Sequence, residues 1–273
     1  MGLFDRGGRG EILNVVAVVA IVVEAAVAVA WVNPGAIPKV DFKLDLASGL
    51  MAPGPTLRPK ITPTTYVEVT DTPAPTKVPK PSNTPPPCSF AEDLQTKHQA
   101  LTDWASTLLD TTYGITAAYA PPDLVPVSQA DVGGSGMVRS FLIEDLRALG
   151  NAADGVGLKV IVASAYRSYA DQNTVFNDIK AAYGLNYAQK AAALPGHSEH
   201  QLGTTIDFNG GEAWLQATAW QYGFVESYPA VVSPALTCYQ PEAWHYRYFG
   251  RQTAAAIHAS GLTPREWLWA YAQ

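Results

Sequence analysis

Cysteine is scarce in this chain. Cys88 and Cys238 are its only two among 273 residues, and no Cys-x-x-Cys pair occurs, which removes metal binding by clustered sulfur. Basic excess is missing as well: 18 Lys and Arg stand against 24 Asp and Glu, a net charge of −6. That balance leaves no electrostatic footprint for nucleic acid. There is no internal repeat, so a repeat array is excluded, and no glycine-rich phosphate loop, so a phosphate cradle of that type is excluded too. Long apolar runs are absent except for one near the N-terminus.

That run covers residues 12–32 and holds twelve Val, Ile or Leu residues. It is about long enough to cross a bilayer at roughly 1.5 Å per residue. Glu24 near its middle opposes insertion by on the order of 3 kcal/mol, which the aliphatic residues narrowly outweigh. The expectation is a transmembrane anchor, with residues 1–11 held in the cytoplasm by Arg6 and Arg9. A cleaved signal peptide is the alternative, since Ala28-Val29-Ala30 resembles a processing site. On either reading the C-terminal part is exported, either as a single-pass membrane protein with an extracytoplasmic head or as a secreted one.

Residues 33–87 carry thirteen of the twenty-one prolines and few large apolar side chains. Such a segment cannot bury enough surface to fold and favours polyproline II. Fully extended at about 3.1 Å per residue it reaches on the order of 170 Å. It reads as a stalk or as a passive linker. An even pair of cysteines in an exported protein reads as one disulfide, Cys88 to Cys238, or else as two separate thiols.

Residues 88–273 are long enough for one sizeable core. Leu94, Leu101, Trp104, Ala105 and Leu108 recur at helical spacing and predict a first amphipathic helix. Val138, Phe141, Leu142, Asp145 and Leu149 predict a second, ending near Gly150. Residues 158–162 form a β-branched run that predicts a strand, as do 204–208 and 246–249. Ser168 with Asp171 marks a helix start and Gly184 its end. A further helix is expected over 212–222, stopped by Gly223. Thr263-Pro264-Arg265-Glu266 opens a last one. Helices outnumber strands without βαβ alternation, which predicts an α+β domain with a small antiparallel sheet flanked by helices.

Two short phrases carry chemistry. Residues 198–207 hold His200 and Asp207 around Gly203, and Glu242-Ala243-Trp244-His245 adds a second imidazole behind a carboxylate. Two imidazoles and one carboxylate suit Zn²⁺ and leave a position for water, beside which a further carboxylate can act as a base. His197 reads as a hydrogen-bonding neighbour rather than a ligand, Glu199 as solvated or salt-bridged beside the site, and His98 and His258 as incidental residues on helices.

Three segments in order, 164–168, 196–207 and 242–245, resemble the signatures of the VanY-type D-alanyl-D-alanine carboxypeptidases. The resemblance runs from about Tyr119 to the C-terminus. It implies one Zn²⁺ per chain held by His200, Asp207 and His245 on the small sheet, with Glu242 as the catalytic base. It implies that Arg167 faces the substrate carboxylate or the forming oxyanion, and that Ser198 and Gln172 line the cleft. Tyr166, within the first segment, is a candidate cleft wall or, equally, a core residue. Ala243 stands where the family often has proline, and Thr205-Ile206 where a small residue and valine are frequent; neither change removes a functional group. The implied substrate is the D-alanine end of peptidoglycan stem peptides, cleaved by a monomer that also touches the membrane through residues 12–32. An endopeptidase on cross-bridges and a non-catalytic zinc-containing wall-binding module are the rival readings.

Overall fold

A computed structural model describes residues 84–90 and 95–272. The predicted anchor at 12–32 and most of the proline-rich stretch lie outside the described residues. Among those described, no helix is long and apolar enough to cross a membrane.

The sheet follows from two apolar runs with period-2 alternation. In Thr205–Asn209 (β5), Ile206 and Phe208 turn to one face and are buried, while Thr205 and Asp207 turn to the other. His245–Tyr248 (β7) repeats this, with Tyr246 and Tyr248 on the core face and His245 and Arg247 opposite. Gly133–Gly134 (β2), Ile161–Ser164 (β4) and Phe224–Glu226 (β6) complete five strands in the order β2-β4-β5-β7-β6. Four of them are antiparallel, and β2 joins β4 in parallel. Leu124–Pro126 (β1) and Met137–Arg139 (β3) pair separately. The expected small antiparallel sheet is present, with one parallel edge strand.

Ile143–Gly155 (α1) covers the core face through Ile143, Leu146, Leu149 and Ala153. It begins later than its apolar spacing predicts, because Val138 belongs to β3, and it runs past Gly150. That glycine has a packing reason: a Cβ there would lie 3.3 Å from Cγ1 of Val132. Tyr169–Tyr183 (α2) starts at a complete capping box between Ser168 and Asp171 and ends at Gly184, as the sequence predicts. Leu185–Ala191 (α3) follows directly. The 212–222 segment is helical from Glu212 to Thr218 (α4), then a 3-10 turn closed by left-handed Gly223. Pro234–Thr237 (α5) is one turn, and Arg251–Ser260 (α6) carries His258. Pro264–Tyr271 (α7) opens with its own capping box at Thr263 and Glu266.

The predicted first helix does not form. Residues 101–106 are turns, and 107–120 are irregular. Polar side chains there bind nearby backbone instead of yielding to a helical ladder. The Thr107 hydroxyl donates to the carbonyls of His98 and Asp103, and the Asp110 carboxylate accepts the N–H groups of Thr112 and Tyr113. The apolar residues serve separate clusters: Trp104 packs against the main core, Leu108 against α6 and α7, and Leu109 against Ile115 and Leu202. Leu101 is 42% exposed. Helical spacing without a shared face is coincidence. Leu94 lies outside the described residues.

Cys88 and Cys238 are bonded across 150 residues. Arg265 clamps the same corner: its guanidinium reaches Asp110 at 2.7 Å and the carbonyls of Leu236 and Pro86 at 3.1 and 2.8 Å. The packed chain therefore includes Pro85 and Pro86. Removing the cross-link (Cys88→Ser with Cys238→Ser) is expected to cost about 2–5 kcal/mol, because it restores the entropy of a long loop to the unfolded chain. For a domain this size that is a fall in Tm of roughly 5–15 °C. A calorimetric Tm within 2 °C of wild type would refute it.

Candidate metal and catalytic site

Strand register brings the first two groups together. Asp207 lies directly opposite His245 in the β5–β7 pair, both on the face away from the core. Such partners carry Cβ atoms about 5 Å apart, so their side chains meet without any loop rearrangement. His200 arrives from a 3-10 turn, Glu199–Leu202, that ends at Gly203 with φ 71°. A side chain at Gly203 would be strained there and would sit 2.9 Å from Leu124, so the turn requires glycine. One ligand atom each from His200, Asp207 and His245 fall within 4.8 Å of one another, all buried.

The rings are oriented differently. Nδ1 of His200 lies 2.7 Å from the carbonyl of Ala165, which only accepts, so that nitrogen carries the proton and Nε2 faces Asp207 at 3.2 Å. In His245 the assignment is reversed. Nε2 lies 3.2 Å from Glu199, and Nδ1 faces Asp207 at 3.1 Å and Glu242 at 3.3 Å. Each ring thus has one nitrogen held from behind and one aimed at the centre. Tetrahedral bonds near 2.1 Å place ligand atoms about 3.4 Å apart, close to the 3.2 and 3.1 Å between the two rings and the two oxygens of Asp207. Oδ1 of Asp207 is buried with no hydrogen-bond partner. A buried acceptor without a donor is what a cation satisfies. The three residues fit a divalent ion.

The electrostatics follow from burial set against charge. Burial works against ionised Asp207, but His200 and His245 outweigh it and hold the carboxyl far below its usual range. Burial, with help from Arg167, lowers His200 despite Asp207. Burial also opposes protonated His245, yet the neighbouring carboxylates of Asp207 and Glu199 push that imidazole up to about 10. Glu199 is held down to about 2: its burial raises it, but Arg247, His245 and Ser227 prevail.

Glu242 belongs to a tight turn. Its carbonyl accepts from the N–H of His245 at 3.1 Å, and its own N–H donates to Tyr228 at 2.9 Å. The spacing Glu-x-x-His therefore delivers a carboxylate and an imidazole to one point. Arg167 sits between β4 and α2. It donates to Ser164 and Gln172 at 3.0 and 2.9 Å. A cavity of about 510 Å³ is lined by Arg167, Glu242, Ser198 and the three metal-site residues.

Two sequence expectations change in detail. Gln172 does line the cavity, but it is buried with both ends of its amide engaged: Oε1 accepts from Arg167 and Nε2 donates to Ala193 at 2.7 Å. It aims the arginine. Tyr166 is half-buried and is not among the cavity-lining residues. His197 is a neighbour as expected, bonded at 2.7 Å to the Asp110 carbonyl and packed against Gly114.

Of the two readings of Glu199, solvated or salt-bridged beside the site, the structure shows the second, with a partner, Arg247, and a role behind His245 that the sequence did not supply. Glu199 is 5% exposed and accepts from Ser227 at 2.6 Å and from Arg247 at 2.9 Å. Arg247, fully buried, also donates to the carbonyls of Trp104 and Thr107 and lies 4.6 Å from the Phe249 ring. Strand alternation was the available clue: Arg247, two residues after His245, had to share its face.

Comparison with known proteins agrees with this geometry. The family model described as VanY, D-alanyl-D-alanine carboxypeptidase, matches residues 136–251. A D-alanyl-D-alanine carboxypeptidase of Enterococcus faecalis is 36% identical over 45% of this chain and 52% of its own length. YodJ of Bacillus subtilis, named provisionally as a carboxypeptidase, is 31% identical over 59% of this chain and 65% of its own. The chain thus spans between half and two thirds of these curated relatives. Among solved structures, the LdcB LD-carboxypeptidase is 30% identical, with a TM-score of 0.55 over 60% of this chain and 85% of that one. A VanB-type D,D-pentapeptidase VanY, solved in complex with Zn(II), is 29% identical with a TM-score of 0.54 over 60% and 99%. With the family model matched over the sheet's antiparallel strands and the site, and with this similarity in sequence and structure, the chain belongs to the VanY-type D-alanyl-D-alanine carboxypeptidase family.

Proposed function

We propose that this protein is a zinc-dependent carboxypeptidase that removes the terminal D-alanine from peptidoglycan stem peptides. One observation carries the reading: Glu242 and Arg167 line the same cavity as the His200–Asp207–His245 cluster. A wall-binding module needs no base and no positioned guanidinium. His200, Asp207 and His245 would hold the zinc ion, which when bound would supply Lewis-acid polarisation of a carbonyl and a water of lowered pKa, about 7.

The protein's groups do the rest. Glu242 takes a proton from the attacking water and returns it to the departing amine. Arg167, aimed by Gln172, presents a planar charged fork to the substrate's terminal carboxylate or to the developing oxyanion. Ser198 offers a further polar contact. The Ala165 carbonyl and Glu199 keep the rings of His200 and His245 turned to the centre. Every one of these groups comes from one chain, which supports action as a monomer. A disulfide favours an oxidising compartment, which supports an exported head carried on residues 12–32 or released after cleavage.

Similarity to both an LD-carboxypeptidase and a D,D-pentapeptidase leaves the stereochemistry of the penultimate residue to experiment. Purified protein is incubated with free pentapeptide, with tetrapeptide and with cross-linked muropeptides, and products are read by mass. Loss of one D-alanine from the pentapeptide is expected. Cleavage of tetrapeptide alone would mean L,D specificity, cleavage of cross-links alone an endopeptidase, and binding without products a wall-binding module.

A further inference from the structure

The cavity is larger than a terminal dipeptide needs. About 510 Å³ is in the range of sites that enclose ligands of drug size. Away from the metal-site residues it is walled by α2 and α3. On α2, Gln172, Val175, Ile179 and Tyr183 follow one another at intervals of three or four, a single stripe of the helix. Only Gln172 and Phe176 of α2 are buried in the fold, so the stripe beyond Gln172 faces the cavity rather than the core. On α3, Tyr187 and Lys190 are three apart and extend the same wall.

Charge on this wall is specific. Apart from the metal-site imidazoles, two basic side chains line the cavity, Arg167 and Lys190. Arg167 is engaged with Ser164 and Gln172. The Lys190 ammonium has no carboxylate partner among the described residues. Its backbone is nonetheless anchored, since the carbonyl of Lys190 accepts from Gln240 at 3.4 Å, two residues before Glu242. The lysine is thus held beside the catalytic segment at the end of an apolar stripe. A ligand matching both features is elongated, with an aliphatic body and an anionic group separate from the one Arg167 meets.

We propose that the α2–α3 wall is a subsite for the acyl side of the substrate. Val175, Ile179, Tyr183 and Tyr187 take the aliphatic part of the peptide. Lys190 pairs with a free carboxylate borne by a residue upstream of the scissile bond. The enzyme then prefers peptides with that carboxylate unmodified over their carboxamides. This rests on the carboxypeptidase reading above.

The test uses the full-length zinc-loaded protein and two pairs of peptides ending in D-alanyl-D-alanine. One pair carries the free carboxylate or its amide on a γ-linked glutamate at the second residue, the other on a diamino-dicarboxylic acid at the third. Wild type is expected to favour one free acid by about three- to tenfold in kcat/KM, as a partly screened ion pair provides. That ratio should shrink with added salt. Lys190→Gln should bring it toward one, mainly through KM, with metal content equal to wild type. Equal losses on acid and amide, or no wild-type preference, would overturn the proposal. Binding of the same peptides is measured by calorimetry in the Glu242→Gln background. There a discrimination between acid and amide that disappears with Lys190→Gln supports the subsite even if no cleavage occurs. That separates its failure from failure of the carboxypeptidase reading.

Discussion

Glu242→Gln is expected to retain one metal ion per chain and to lose turnover by roughly 10²–10⁴-fold, the usual contribution of a positioned acid–base group. The substitution preserves shape, and the turn that holds residue 242 is built from backbone bonds to Tyr228 and His245 that glutamine keeps. The capacity to accept and return a proton is lost. Because Glu242 lies 3.3 Å from Nδ1 of His245, a sceptic would attribute any defect to a disturbed metal ligand. Metal analysis beside single-turnover cleavage answers that objection. Full metal with slow turnover supports the base; full metal with wild-type turnover removes Glu242 from the role.

His200→Ala should fail differently, losing the metal and the activity together. Two remaining ligands leave Asp207 facing His245 with no third donor, and the site no longer supplies the protein donors of a three-residue zinc shell. Glu199→Gln gives the graded comparison. It leaves all three ligands present but weakens the grip on Nε2 of His245, and replacing such a supporting group typically costs 10–100-fold in metal affinity. Competition against a chromophoric chelator should therefore rank wild type, then Glu199→Gln, then His200→Ala. Thermal melts add a second reading, because an ion that binds only the native state raises Tm in proportion to its affinity. Chelation should lower the Tm of wild type and leave that of His200→Ala where it was. Metal bound by His200→Ala as tightly as by wild type would contradict the assigned cluster.

Much of this was legible in one dimension. The capping pairs Ser168–Asp171 and Thr263–Glu266 predicted two helix starts that the structure reproduces, because a cap is satisfied by residues three apart. The strand at 204–208 was readable from alternation, and the ligand phrases from residue types that rarely cluster without cause. Residues 101–108 show the limit. Their apolar spacing imitates a helix, but Trp104 and Leu108 pack into different clusters, and Thr107 and Asp110 spend their polar groups on local backbone. Glu199 shows it again. Beside a histidine it reads as solvated or salt-bridged, and only the fold supplies the partner, a buried Arg247 48 positions away.

Local chemistry, written in the order of residues, was enough to determine which residue types gather at the site, the Glu-x-x-His phrase that brings a carboxylate beside an imidazole, and the family. Tertiary structure alone decided that Gln172 aims Arg167, that Tyr166 stays outside the cavity wall, and that Arg247 and Glu199 brace His245 from within the core. The physical reason is range. Caps, turns and alternation act over two to four residues, whereas burial and ion pairing join groups whose separation along the chain carries no information about their distance in space.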